Sequence, residues 1–171
     1  MDFLRGYIPI GVSGNVIRKR GFSVGSTTPT WCRMAKYTVS YSEVLTDVAF
    51  LLHSSYSGRY SILHITSRGG SYVKALLYNS YGMDKSKIRI YHDSGKNNIE
   101  FYYYAGESYS VIIAELLYST GRTGSWDNNV IMYEGDTSSP SYSNYIVPEL
   151  PTLQNNAETA TKLLNPRYLW G

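Results

Sequence analysis

The sequence predicts an all-β protein, an antiparallel β-sandwich or jelly-roll-like module, and three observations support this. Tyrosine occurs 18 times in the 171 residues, and aromatic residues favour strands. Fifteen glycines divide the chain into short pieces, and turns about ten residues apart are typical of sandwiches and barrels. Only 17% of the residues are charged, whereas a helical bundle would be richer in Glu, Lys, Ala and Leu.

The chain divides into three parts by composition. Residues 1–28 form an N-terminal arm, because glycines interrupt this stretch too often for a long element. Residues 29–136 form the β-sandwich domain. Residues 137–171 form an extended connector or tail, in which Pro148 and Pro151 keep the chain extended.

Seven or eight short strands are expected in the central part, where apolar residues alternate with polar ones. The first should place Trp31, Arg33 and Ala35 on one face and Cys32 and Met34 on the other. Alternating or continuous apolar runs, in chain order, predict strands at 31–39, 48–53, 61–67, 72–78, 87–92, 99–104, 109–118 and 130–133. The run 48–53 is apolar on both faces and is therefore expected to be a central strand.

Glycine-containing turns are predicted at two places between these strands, and two of the strand segments could instead be helices. Gly69-Gly70 predicts a hairpin, and Gly95 is expected to supply a positive φ in the polar turn 93–98. Residues 41–53 and 109–119 are long enough to be helices, although their Val, Ile and Tyr content and flanking Gly and Ser favour strands.

Charge and cysteine content exclude several functions. Sixteen basic and 13 acidic residues give a net charge of +3, which is too weak to indicate nucleic-acid binding. The lone Cys32 excludes an internal disulfide and a cysteine-based zinc site. The chain has no run of about 18 apolar residues to span a membrane, and its first residues do not resemble a signal peptide.

The residues that could carry catalysis form no recognisable motif. The histidines His53, His64 and His92 lie on predicted strands, where a structural role is commoner than a metal or catalytic one. The sequence lacks a Gly-x-Ser-x-Gly elbow. A non-enzymatic protein without metal or cofactor is therefore expected, with a polysaccharide hydrolase acting through two carboxylates as an alternative.

Aromatic residues beside amides and carboxylates suggest ligand contacts. Sugar recognition combines a flat apolar ring with amide and acid groups that bond the hydroxyls. The predicted ligand-binding residues are Trp126, Asp127, Asn128, Tyr102 and Tyr104. The alternative is that the tyrosines pack the core and Trp126 plugs one end of the sandwich.

The end of the chain is unusually apolar. Tyr168, Leu169 and Trp170 would be costly to leave in water, so we expect them to pack on their own domain or on a neighbouring copy, or else to belong to a connector that continues beyond them.

The string Asn156–Arg167, followed by Trp170-Gly171, resembles the connector that recurs between modules of bacteriophage and prophage tail fibres. Residues 31–35 more loosely resemble the opening strand of small β modules in such fibres. The resemblance implies a homotrimer on a virion tail or other extracellular surface that attaches to a bacterium. It assigns no functional residue.

The expected function is therefore a structural or receptor-binding module of a tail-fibre-like protein. Its partners would be sister chains and a bacterial surface glycan or protein receptor, without nucleic acid or membrane insertion. A free-standing carbohydrate-binding or adhesin module of a secreted bacterial protein is the alternative.

Overall fold

The computed structural model describes residues 20–23, 29–39, 45–54, 60–80, 83–106, 112–120 and 130–151, and it confirms the all-β sandwich. Helical backbone in this part of the chain is limited to the 3₁₀ turn Lys85–Lys87, so no described helix could cross a membrane. The strands are β1 (Arg20–Ser23), β2 (Thr30–Thr38), β3 (Leu45–Ser54), β4 (Tyr60–Arg68), β5 (Tyr72–Tyr78), β6 (Ile88–His92), β7 (Asn98–Ala105), β8 (Ile112–Thr120), β9 (Ile131–Asp136) and β10 (Asn144–Ile146).

The strands form two five-stranded sheets in which every pair of named strands is antiparallel. Sheet A has the order β1-β8-β3-β4-β5, and sheet B has the order β10-β6-β7-β2-β9. β3 lies between β8 and β4, as its apolar residues on both faces predict. Because β3 and β8 pair with neighbours over most of their lengths, the helical alternative for these two segments is wrong.

The core lies between the inner faces of the two sheets. Phe50 of sheet A and Phe101 of sheet B meet across it, with their ring centroids 5.5 Å apart. Both rings are completely buried. The core also contains Val48, Leu52, Leu63, Ile65, Leu77, Met34, Tyr37, Ile88, Ile90 and Ile99.

The alternation predicted for residues 31–39 holds through Met34 and is wrong from Ala35 onward. A β-bulge between Arg33 and Ala35 shifts the register of β2 against both of its neighbours. Because a bulge inserts one extra residue, Met34 and Ala35 are both buried and the following residues change face. Arg33 and Lys36 therefore lie on the same, outer face of sheet B.

The two predicted turns have different outcomes. The Gly69-Gly70 hairpin is confirmed, and Gly70 takes a φ of +72°, which glycine adopts without steric cost. In the 93–98 turn, however, Lys96 and not Gly95 adopts a positive φ, of +54°. The Asp93 carboxylate fixes this turn by accepting hydrogen bonds from the amides of Asn97 and Asn98 at 2.7 and 3.2 Å.

Each sheet includes a strand from outside the predicted 29–136 range. β1 comes from the arm and pairs with β8, and β10 comes from the connector and pairs with β6. Residues 1–19 and 152–171 lie outside the described residues.

Residues 137–143, here called the crossover segment, pass over the outer face of sheet B. They join β9 and β10, which lie at opposite edges of that sheet. Beyond β10 the chain reaches the free edge of β5. There the Leu77 amide donates to the Glu149 carbonyl at 2.9 Å, and the Glu149 amide donates to the Ala75 carbonyl at 2.9 Å.

Candidate binding site

The outer face of sheet A carries side chains that the strand alternation directs away from the core. Along β4 the inner residues Leu63 and Ile65 are buried, whereas Ile62 and His64 point outward. The register of the strands places outward residues in rows across the sheet. The rows are His53–Tyr60, Leu51–Ile62–Tyr78, Ala49–His64–Leu76, Asp47–Thr66–Lys74 and Leu45–Arg68–Tyr72.

A groove of about 630 Å³ lies at the β5 side of this face. The outward residues of β4 and β5 form one wall, and the chain after β10 forms the other because Glu149 pairs with β5. We call this cavity the β5 groove. Its lining residues are His64, Thr66, Tyr72, Val73, Lys74, Ala75, Leu76, Tyr78, Ile146, Val147 and Glu149.

Two tyrosines stand at the ends of the groove. Tyr72 and Tyr78 are six residues apart on the same face of β5, which separates them by roughly 20 Å along an extended strand. Tyr78 is 38% exposed. The Lys74 ammonium lies 5.4 Å from the Tyr72 ring centroid, which allows a cation–π contact.

Hydrogen-bonding groups centred on Asp47 adjoin the groove. The Asp47 Oδ1 atom bonds to His64 Nε2 and accepts a hydrogen bond from the Thr66 hydroxyl at 3.2 Å. The ring centroids of Tyr78 and Tyr118 lie 6.4 and 6.3 Å from that of His64. Burial and the Asp47 charge raise the pKa of Tyr118, so its hydroxyl stays protonated at neutral pH.

This arrangement suits hydrogen bonding to a neutral polar ligand. The Asp47 carboxylate accepts the hydrogen bond of the Thr66 hydroxyl and also bonds to the His64 ring, so these polar side chains are held in place beside the groove. Aromatic rings and fixed polar groups around an open groove are the elements with which proteins hold sugars.

The predicted site residues Tyr102 and Tyr104 lie on the opposite sheet. Tyr102 is completely buried, and burial foremost, with the Glu100 charge, raises its pKa to about 12. Tyr104 is half-buried, with its ring centroid 5.2 Å from that of Trp31. Between them, Tyr103 points into the core. The other predicted residues, Trp126, Asp127, Asn128, Tyr168, Leu169 and Trp170, lie outside the described residues.

Tyr102 adjoins a charged network beneath the crossover segment. Glu100 is completely buried and accepts hydrogen bonds from the Ser141 amide at 3.0 Å and the Ser141 hydroxyl at 2.9 Å. Arg33 Nη1 lies 3.4 Å from Glu100 Oε1, and Lys36 Nζ lies 3.9 Å from the same atom. Arg33 also donates from Nε to Asp136 Oδ2 at 2.7 Å. These contacts tie the crossover segment to β7.

The Asp136 carboxylate predicts a pH-dependent contribution to stability. Partial burial alone would raise its pKa, but hydrogen bonds from Ser138 and Arg33 outweigh burial and lower it. A pKa depressed by folding stabilises the protein above the unfolded value of about 3.9. That contribution is lost as the pH falls through the lower folded value. Asp136→Asn should therefore lower the free energy of unfolding by about 1–3 kcal/mol at neutral pH.

Urea denaturation of wild type and Asp136→Asn at neutral pH and near pH 2 measures this effect. The difference between the two proteins should shrink at the acidic pH, because the stabilisation from a lowered pKa is lost as the pH falls below the unfolded value. An equal difference at both pH values would contradict the assignment.

The three histidines have separate surroundings. His53 stacks on Tyr60, with ring centroids 4.8 Å apart, and His64 contacts Asp47. His92 lies on sheet B, with its Nδ1 2.8 Å from the Asp93 carbonyl oxygen. Within the described ranges, no three His, Cys, Asp or Glu residues are grouped to hold a metal.

Sequence reasoning did not identify the β5 groove. Alternation along 72–78 does place Tyr72, Lys74 and Tyr78 on one face, so one wall was readable from the sequence. The second wall depends on the pairing of Glu149 with a strand more than 70 residues earlier, which no local pattern indicates.

No protein-family model and no curated protein matches the sequence. A structural comparison finds a likeness to WceF of Pantoea stewartii, described as a glycan biofilm modifying enzyme with a bacteriophage tailspike-like parallel beta-helix fold. The TM-score is 0.47 at 8% sequence identity, and the likeness covers 81% of this chain and 23% of WceF. A likeness at this level assigns neither a family nor an activity to this chain.

Proposed function

We propose that this protein is a non-enzymatic module that binds a bacterial surface glycan in the β5 groove. The observation that carries the proposal is the composition of the groove, which has tyrosines at both ends and hydrogen-bonding side chains between them. A sugar ring presents apolar C–H groups to an aromatic face and hydroxyls to polar groups. His64, Thr66 and Lys74 supply the polar groups.

The length of the groove favours a chain over a single sugar. Tyr72 and Tyr78 are roughly 20 Å apart by the rise of an extended strand, so one monosaccharide cannot contact both rings. The ligand that fits this spacing is an oligosaccharide stretch lying along β5.

The proposed biological setting is a tail-fibre-like protein that attaches to a bacterium. Its support is the resemblance of residues 156–171 to fibre connectors. In a homotrimer, several weak sites would act together, because linked sites convert later binding events into intramolecular ones. A modest affinity per groove would then suffice for attachment.

Two tyrosine substitutions test the groove. We expect Tyr72→Ala and Tyr78→Ala each to weaken binding of a surface polysaccharide by about tenfold, since each removes an aromatic contact worth about 1 kcal/mol together with its buried area. The purified full chain is screened against bacterial polysaccharides, and the affinity of each variant for the best ligand is then measured by titration calorimetry.

Tyr60→Ala is the matched control. Tyr60 is 53% exposed on the same face of sheet A but does not line the groove, so its loss should leave the affinity unchanged. Equal losses in all three variants, or none, would contradict the proposed site. Release of reducing ends from the bound polysaccharide would contradict the non-enzymatic part of the proposal.

A further inference from the structure

Arg89 on the outer face of sheet B is held between two aromatic rings. Its guanidinium carbon lies 4.2 Å from the Trp31 ring centroid and 4.5 Å from that of Tyr145. Its Nη1 donates a hydrogen bond to the Tyr91 hydroxyl at 3.1 Å. The rings come from β2 and β10, at opposite sides of β6 and β7. The stacking therefore fixes the plane of the guanidinium group.

A second arginine in the same row of the sheet has carboxylate partners and serves as a comparison for Arg89. The register places Arg89 opposite Tyr102 and Tyr102 opposite Arg33. Arg33 is paired with Glu100 and Asp136. No carboxylate in the described part of the chain forms an ion pair with Arg89. The described groups that contact its guanidinium group are two aromatic rings and a neutral hydroxyl.

A guanidinium group in this position is suited to an oxyanion. Two aromatic rings lie within 4.5 Å of the guanidinium carbon, and the N–H donors of a guanidinium group form a planar fork that fits a carboxylate. Glu100, a carboxylate on the same face of sheet B, is already bonded to Arg33, Lys36 and Ser141. An incoming anion would thus meet a preorganised donor and little opposing charge.

The rings around Arg89 also offer surface to a sugar. Tyr145 is 46% exposed, and the half-buried Tyr104 packs beside Trp31. A ligand that carries both a carboxylate and a pyranose ring would use the arginine edge and these aromatic surfaces together.

We propose that the Arg89 cluster, formed by Arg89, Trp31, Tyr91, Tyr104 and Tyr145, binds the carboxylate of an acidic sugar. This site is independent of the β5 groove, which lies on the other sheet, and either can exist without the other. The module would then present one binding surface on each sheet.

An NMR titration of the labelled full chain tests the proposal with three probes. Methyl glucuronoside is the acidic sugar, methyl glucoside is its neutral counterpart, and inorganic phosphate is a free anion. The signals followed are the Arg89 Nε–H and the Trp31 indole N–H. We expect methyl glucuronoside to bind about tenfold or more tightly than methyl glucoside, since a charge-assisted hydrogen bond contributes about 1.5–3 kcal/mol.

The matched variants are Arg89→Gln and Arg68→Gln. Arg89→Gln should abolish the preference for the acidic sugar, whereas Arg68→Gln removes the same charge from an exposed position on sheet A and should not. Arg89→Lys keeps the charge but not the planar fork, so it should bind the acidic sugar about tenfold less tightly than wild type. Thermal unfolding of each variant shows that the sandwich is intact.

Several results would overturn the proposal. These are equal binding of the two sugars by the wild type, phosphate binding as tight as that of the acidic sugar, and an equal loss in Arg68→Gln. Retention of the acidic-sugar preference in a folded Arg89→Gln protein would also overturn it. In Tyr72→Ala the preference should persist, so failure of the groove proposal and failure of this one give different results.

Discussion

Phe101→Ala is expected to lower the free energy of unfolding by about 3–5 kcal/mol, the range observed when a fully buried phenylalanine is truncated. Phe101 is completely buried, and its ring contacts Phe50 of the facing sheet. The substitution removes the burial of the ring and leaves a cavity between the sheets. Chemical denaturation followed by circular dichroism measures the loss.

Phe50→Ala and the double variant complete the test. If the two rings meet as described, the pair should show a coupling of about 0.5–1.5 kcal/mol. Tyr60→Ala removes an exposed aromatic ring from the same sheet as Phe50 and should cost less than about 1 kcal/mol. A loss at Phe101 no greater than that at Tyr60 would contradict the packing of the two sheets.

Glu100→Gln is expected to cost about 3 kcal/mol, because a neutral amide loses the charge-assisted hydrogen bonds that the buried carboxylate accepts. The carboxylate is completely buried and contacts Arg33, Lys36 and Ser141. Ser141 donates one hydrogen bond to each carboxylate oxygen, and a glutamine side chain offers only one acceptor oxygen. The free energy of unfolding should fall, and amide exchange at Ser141 should accelerate as the crossover segment loses its attachment.

Glu149→Gln makes the same change at an exposed side chain and should alter stability by less than about 0.5 kcal/mol. If Glu100→Gln and Glu149→Gln have equal effects, the network beneath the crossover segment does not stabilise the fold as described. Unchanged exchange at Ser141 would contradict the anchoring role of Glu100.

The strands were predicted best where a run of alternating apolar and polar residues is followed directly by a glycine-containing turn. The hairpin of β4 and β5 is the clearest case, since Leu63 and Ile65 alternate with His64 and Thr66 and Gly70 allows the turn. The strand β3 was recognisable as central because its apolar residues occupy both faces. In these elements local pattern and tertiary position agree.

Where contacts with other strands or side chains determine the backbone of a segment, the local sequence pattern did not predict its conformation. In β2 the bulge after Arg33 shifts the register against both neighbouring strands. No residue type in this part of the sequence indicates a bulge. In the 93–98 turn the Asp93 carboxylate fixes the backbone, so Lys96 takes the positive φ although Gly95 is adjacent.

Both proposed binding surfaces depend on long-range placement. The tyrosine run 102–104 indicated a surface ring, but the crossover segment buries Tyr102. Tyr145 joins Arg89 only because the chain crosses sheet B before β10. Residues 146–149 reach β5 by the same route. These contacts depend on how the chain after residue 136 returns across the sandwich.

Mapping amide chemical-shift changes on addition of an oligosaccharide from the best-binding surface polysaccharide tests the central claim most directly. The changes should concentrate on Tyr72–Tyr78 and on residues 146–149, the two walls of the groove. Changes confined to the β1 and β8 side of sheet A, or to the turn at 93–98, would contradict a glycan site in the β5 groove.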